Sequence, residues 1–229
     1  MKLAALFSGG KDSTYAIFIA KKLGHTVDVL LTLHPYSDES HLLHYPNIRF
    51  TQLQSESMKI PQLIEKTTSD NPENESEKLN RLIVRAKENF SIEGIVHGGI
   101  LSKYQKDNFS LICEKNKLEI VSPLWNKEPL SYMKELLDEK FEYIISTISS
   151  DGLDDSWLGR KLNENDLDKL QTLQKKFSFN LNFEGGEAET FVINCPLFEK
   201  PLLIQDSITE WDGYRGRFEI LEAKLKDNA

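Results

Sequence analysis

Cysteine is scarce in this chain: Cys113 and Cys195 are the two in 229 residues, far apart and without a C-x-x-C pair. That excludes a disulfide framework and a cysteine-based zinc site, and both thiols read as small buried hydrophobes. Positive charge is also short, with 28 Lys and Arg against 36 Asp and Glu for a net charge of -8. Gripping nucleic acid by its phosphates needs clustered cations, so nucleic acid is not an expected partner. Long apolar runs are missing as well. Leu3 to Phe7 is apolar but stops at once in Ser8-Gly9-Gly10-Lys11-Asp12, too early for a secretory signal or a membrane span. No membrane partner is expected, and the cytoplasm is the default compartment. There is no internal repeat and no low-complexity tract.

What is present alternates. Leu3 to Phe7 reads as a buried strand, Asp12 to Leu23 as a buried helix stopped by Gly24, and Val27 to Leu33 as a second strand. Ile48 to Leu53 is expected to be a short third strand and Ile60 to Thr67 a short helix. The polar stretch Ser69 to Glu77 reads as a loop leading into a helix from about Ser76 to Phe90. A fourth strand is expected at Ile92 to His97, a helix at Tyr104 to Asn116 and a fifth strand at Leu118 to Val121. This order predicts an α/β fold with a doubly wound, mainly parallel sheet. After Pro123-Leu124-Trp125 the texture changes to helices at Leu130 to Lys140 and Glu164 to Phe177 and strands at Tyr143 to Thr147, Thr190 to Asn194, Leu202 to Ile208 and Arg217 to Leu225. A smaller α+β C-terminal domain is therefore expected, with domains at 1–125 and 126–229.

The chemistry concentrates in Ser8-Gly9-Gly10-Lys11-Asp12-Ser13 between the first strand and helix. Glycines let the backbone approach an anion, successive N–H groups converge on it, and the helix N-terminus adds donors and a positive dipole end. The Ser8 and Ser13 hydroxyls can donate to phosphate oxygens, Lys11 can neutralise them, and Asp12 can hold a magnesium ion shared with them. The loop is not G-x-x-x-x-G-K-[ST]. The bland alternative is a glycine turn with incidental polar residues.

This loop resembles the pyrophosphatase loop (PP-loop) of N-type ATP pyrophosphatases, whose HUP-like fold and conversion of ATP to AMP and diphosphate the resemblance implies. Further segments are similar to one branch, the diphthine–ammonia ligase family: Gly98-Gly99-Ile100-Leu101-Ser102-Lys103-Tyr104-Gln105-Lys106, then Cys113 and Pro123-Leu124-Trp125; Asp151-Gly152-Leu153-Asp154-Asp155-Ser156-Trp157-Leu158-Gly159-Arg160; and Glu184-Gly185-Gly186-Glu187-Ala188-Glu189-Thr190-Phe191-Val192 followed by Pro196-Leu197-Phe198. His44-Tyr45-Pro46-Asn47-Ile48 is a weaker match. In order, these span nearly the whole chain. The resemblance implies amidation of the diphthine carboxylate of elongation factor 2, with ATP, magnesium and ammonium, to give diphthamide. Near Asn108 the family often carries a basic residue, which this chain lacks; Lys103 or Lys106 must substitute if that residue binds substrate. Residue 2 is Lys, and neither cysteine sits in a glutaminase motif, so free ammonium or a separate partner is the expected nitrogen source.

Within that resemblance Lys11, Asp12, Glu187 and Glu189 are the candidate catalytic residues. Ser8 to Ser13 with Gly98 and Gly99 would hold the nucleotide, and Asp12 the metal. Ser102, Tyr104, Gln105, Asp154, Trp157, Arg160 and Glu184 would meet the substrate. Carboxylates and aromatic faces at Glu184, Glu187, Glu189, Trp157 or Trp211 suit a trimethylammonium group, and one carboxylate can deprotonate ammonium. These two C-terminal motifs are expected to face the nucleotide loop. Each has a structural alternative: a solvated acidic turn for the glutamates, helix capping for Asp154 and Asp155, an ion pair for Arg160. His41 and His44 have helical spacing without a third metal ligand; His97, ending a strand beside Gly98-Gly99, is either packed or in contact with substrate. A tRNA-modifying ATP pyrophosphatase and a non-catalytic adenine-nucleotide sensor are the competing functions.

Overall fold

The computed structural model describes residues 1–36, 47–69, 71–101 and 103–227. They form two compact units, Met1–Asn126 and Lys127–Ala229. Unit 1 is a five-stranded parallel sheet in the order β3-β2-β1-β4-β5. β1 (Lys2–Leu6) leads through the glycine loop into α1 (Lys11–Lys22), and β2 (Thr26–His34) follows. α2 (Thr51–Met58), β3 (Gln62–Lys66), α3 (Pro72–Phe90), β4 (Gly94–Val96), α4 (Lys103–Asn116) and β5 (Glu119–Val121) complete it. The chain winds outward from β1 through β2 to β3, then returns to place β4 on the other side of β1. Ala4, Val29, Leu31, Leu33 and Ile95 on one sheet face pack with Leu82, Ile83 and Ala86 of α3 and Ile112 and Cys113 of α4. This is the doubly wound α/β arrangement expected from the alternating apolar segments.

Two assignments change. Residues 48–53 are not a strand: Ile48–Phe50 is a 3-10 turn that runs into α2. Asn47 opens the turn at φ 66, and Thr51, Gln54, Ser55 and Met58 turn inward at helical spacing. The buried face of α2 is thus largely polar, which hides its period from a hydrophobicity reading. Residues 60–67 are not a helix either. Lys59 ends α2 in the left-handed region, and Pro61, which cannot sit inside a helix, introduces β3. β3 pairs in parallel with β2 from Leu30↔Gln62 to His34↔Lys66. α3 also begins four residues before Ser76, because Pro72 stands at its first position and Asn71 Oδ1 accepts the Glu73 N–H at 2.9 Å.

Unit 2 is α+β. α5 (Pro129–Asp138) and α6 (Glu164–Phe177) accompany a four-stranded antiparallel sheet in the order β7-β6-β9-β8. Its strands are β6 (Glu142–Ile148), β7 (Ala188–Asn194), β8 (Leu202–Trp211) and β9 (Gly216–Leu225). β9 meets β6 only at Thr147↔Arg217 and Ile148↔Gly216. Along the rest of that edge the 158–161 segment bridges β6 instead, at Ile145↔Leu158 and Ile144↔Lys161. Gly159 makes this possible: its φ is +70, and a Cβ there would lie 2.5 Å from the Phe218 ring. Gly159→Ala is therefore expected to cost about 1–3 kcal/mol through strain and overpacking. That should lower the melting temperature by on the order of 5 °C, measured by calorimetry; an unchanged transition would refute the wedge.

Candidate functional site

The glycine loop leaves the carboxyl end of β1 where the winding direction switches between β1 and β4, the place where open α/β sheets bind ligands. Gly9 takes φ +81, a conformation open to glycine. Gly10 occupies the cap position of α1 with no side-chain cap bond, whereas Asn71, Glu128 and Asn163 cap α3, α5 and α6. Inside the loop the Ser8 and Ser13 hydroxyls lie 3.2 Å apart, Ser8 N–H donates to Ser13 Oγ at 3.3 Å, and Gly10 N–H donates to Ser8 Oγ at 3.4 Å. These are long bonds that an anion can displace. Lys11 is 2% exposed, and its Nζ lies 2.9 and 3.0 Å from the two carboxylate oxygens of Asp12, whose side chain is 30% exposed. Lys11 is thus packed within the fold, its charge taken up by Asp12, which faces solvent at the loop.

Gly98 joins this group. A Cβ on it would lie 2.5 Å from the Asp12 carbonyl carbon and 2.6 Å from Ser13 N, so the exit of β4 rests directly on the first turn of α1. Gly99 N–H donates to His97 Nδ1 at 3.1 Å, leaving Nε2 to carry the proton toward Ser122 Oγ at 2.6 Å. His97 is buried, edge-on to Phe109; it is the packed, backbone-bonded residue of the two alternatives. Tyr104 and Gln105 fall in the first turn of α4, where the structure describes only their backbone. Ser102, His41 and His44 lie outside the described residues. Asn108, near the place where the family often carries a basic residue, donates from Nδ2 to Ser76 Oγ at 3.0 Å and ties α4 to α3.

In unit 2 both C-terminal motifs line β6. Glu187, Ala188 and Glu189 run beside Thr147 to Ser149, and Leu158 to Arg160 bond to Ile145. Asp154 Oδ1 accepts from Ser156 N–H at 3.1 Å and caps a 3-10 turn, its structural alternative. Trp157 is buried under the Arg160 guanidinium, 5.1 Å from the ring, so one aromatic face is already taken by a cation. Arg160 pairs with Asp166 at 2.5 Å; the arginine side chain is 35% exposed and the aspartate wholly buried. Asp166 is the one member of this cluster that the sequence did not suggest. It looks like an ordinary acidic residue in the first turn of α6, and no sequence signal separates it from Glu164. Glu187 Oε1 accepts Asn180 N–H and Oε2 accepts Gly185 N–H, both at 2.8 Å. Both carboxylate oxygens therefore hold the 180–187 turn closed, with Ser149 Oγ donating to the Gly186 carbonyl at 2.5 Å. Glu189 N–H donates to Thr147 Oγ1 at 3.2 Å.

Burial pushes the Cys113 thiol up to about 11 and the Cys195 thiol up to about 12, so neither is a thiolate near neutral pH. Among the described residues no group of three His, Cys, Asp or Glu forms a metal cluster. A single partly exposed carboxylate, Asp12, nevertheless suits magnesium, which keeps most of its waters and takes further oxygens from phosphates.

Two family descriptions match the chain: Diphthamide synthase N-terminal domain over residues 1–120 and Diphthamide synthase C-terminal domain over residues 128–225. Proteins named diphthine–ammonia ligase are similar along most of it. The Bos taurus protein is 32% identical over 90% of this chain and 84% of its own length. The Danio rerio protein is 30% identical over 91% and 88%. The Schizosaccharomyces pombe protein is 34% identical over 90% of this chain, which spans 36% of that longer protein. A solved structure described as a predicted subunit of tRNA methyltransferase from Methanocaldococcus jannaschii has a TM-score of 0.39 and 15% identity, covering 86% of this chain and 98% of its own; a likeness that distant bears on neither fold nor function.

The geometry of Glu187 yields a structural expectation. Glu187→Gln keeps the shape but leaves one acceptor where two N–H donors converge, costing about 1 kcal/mol at an exposed turn. Amide hydrogen exchange at Asn180 and Gly185 should quicken several-fold; equal exchange in variant and wild type would remove Glu187 from this role.

Proposed function

The chain belongs to the diphthamide synthase family, and from that premise we propose that it is an ATP-dependent carboxylate–ammonia ligase that converts the diphthine of elongation factor 2 to diphthamide. The observation that carries the reading is the Ser8 to Ser13 loop, set at the sheet's switch point with an uncapped helix behind it. The relatives named diphthine–ammonia ligase extend it across both units.

In this reaction a carboxylate oxygen attacks the α-phosphorus of ATP, and diphosphate leaves. The acyl adenylate formed is then attacked by ammonia, and AMP leaves as the amide forms. Ammonium must lose a proton before it attacks. Unit 1 binds the nucleotide in this reading, and unit 2 binds the modified side chain. Ser8, Ser13 and the first-turn N–H groups of α1 cradle the β- and γ-phosphates, with Gly98 and Gly99 allowing close approach. Lys11 would supply positive charge to the phosphates, and Asp12 would hold a magnesium ion, which would neutralise phosphate charge. Arg160, fixed by Asp166, offers its open edge to the substrate carboxylate. Ser102, Tyr104, Gln105, Asp154 and Trp157 remain proposed substrate neighbours. Glu184 and Glu189 attract the trimethylammonium and ammonium cations, while Glu187 shapes the turn that presents them. Two protonated thiols speak against a glutaminase activity in this chain and against the paired-cysteine chemistry of a tRNA thiolase, so the nitrogen comes from free ammonium or from a separate partner. Among the described residues no helix is long and apolar enough to cross a membrane; we place the reaction in the cytoplasm.

The test combines diphthine-bearing elongation factor 2, ATP, magnesium and ammonium. Peptide mass spectrometry should show a carboxylate-to-amide exchange matched one to one by AMP and diphosphate. Asp12→Asn should reduce AMP formation on the order of a hundredfold or more while the melting curve stays in place. Release of ADP, or intact ATP with unmodified elongation factor, would overturn the assignment. Normal turnover by the Asp12 variant would remove that residue from the metal role.

A further inference from the structure

Two main-chain carbonyls flank Ser8, and each is tied into the body of unit 1 by a buried side chain that the family motifs do not include. The Gly9 carbonyl accepts from Gln54 Nε2 at 3.0 Å, a contact between residues 45 positions apart. Gln54 sits on α2 and is 0% exposed. The Phe7 carbonyl accepts from Thr32 Oγ1 of β2 at 2.8 Å. Thr32 Oγ1 in turn accepts from Gln62 Nε2 of β3 at 2.6 Å, and the same amide nitrogen donates to Thr51 Oγ1 of α2 at 2.9 Å. The Thr51 proton goes to the Ile48 carbonyl at 2.6 Å. Carbonyls only accept, so every donor in this chain is fixed without ambiguity. Both protons of the Gln62 amide end on hydroxyls, and both hydroxyl protons end on carbonyls.

The consequence lies in the peptide plane. In a trans peptide the C=O and the following N–H point in opposite directions. Holding the Phe7 and Gly9 carbonyls inward therefore turns the Ser8 and Gly10 N–H groups outward. Those two donors are the ones that make only long bonds to the loop hydroxyls, at 3.3 and 3.4 Å. We propose that Gln54, with Thr32 beside it, is a positioning residue of the anion loop: it sets the direction of the N–H groups that receive phosphate and touches no substrate itself. The inference rests on the assignment of this loop to ATP and deepens it by naming what presets the loop.

The experiment measures ATP affinity of the full chain by titration calorimetry with magnesium, alongside thermal melting. Gln54→Met fills the same space without a donor and leaves the Gly9 carbonyl unpaired. Affinity should fall tenfold or more while the melt stays within a few degrees. Thr32→Val should weaken binding in the same direction, and Thr32→Ser, which keeps the hydroxyl, should restore it. Gln54→Glu gives the distinguishing signature. The introduced carboxyl can donate to Gly9 only when protonated, so ATP affinity should decline as pH rises through its ionisation, with an inflection that wild type lacks. Wild-type affinity in Gln54→Met overturns the inference alone. If that variant does not fold, a Gln54→Glu affinity profile that parallels wild type overturns it. Absence of ATP binding by wild type defeats the loop assignment itself and the inference with it.

Discussion

The peptide units around Ser8 impose the constraint on which unit 1 depends. A loop that offers N–H groups to an anion must turn its carbonyls the other way, and carbonyls turned into a protein need donors. β1 alone cannot supply them. They come from β2, through Thr32, and from α2, through Gln54. That requirement explains a polar inner face on α2, and why β3 opens with a glutamine that reaches both threonines. Gly98 adds the complementary condition: no side chain stands between the end of β4 and the first turn of α1, so on that side main chain packs directly on main chain.

Charge in the loop is arranged on the same principle. Lys11 is buried, and a buried ammonium needs a partner; Asp12 provides one with both oxygens. The same logic governs unit 2. Asp166, wholly buried, is neutralised by Arg160, and the guanidinium lies on Trp157. Glu187 closes a turn with two backbone bonds. Both of its oxygens serve that turn.

Several features were legible in the residues. The Leu3 to Phe7 run, the glycines after it and the apolar period of the next helix placed a glycine loop at a strand-to-helix junction, and the alternation that followed gave a parallel α/β sheet. Asp154 before Ser156 carried its capping alternative openly, and His97 its packed one. Less legible were α2 and β3, whose types were interchanged. Helical period is sought in apolar residues, and α2 buries Thr51, Gln54, Ser55 and Ser57. The stretch after Pro61 has too few residues to reveal a period of two.

The sequence by itself determined the loop, the order of elements up to that interchange, and the motifs that carry the family resemblance, because each is a matter of residue type at short spacing. Tertiary structure decided what the polar groups do. Whether Glu187 is a base or a clasp, whether Arg160 is open or paired, and whether Gln54 is a surface amide or the anchor of Gly9 depend on partners 2, 6 and 45 positions away. Hydrogen bonds are directional and short-ranged, so a side chain's role follows from which donor or acceptor the fold brings within about 3 Å of it.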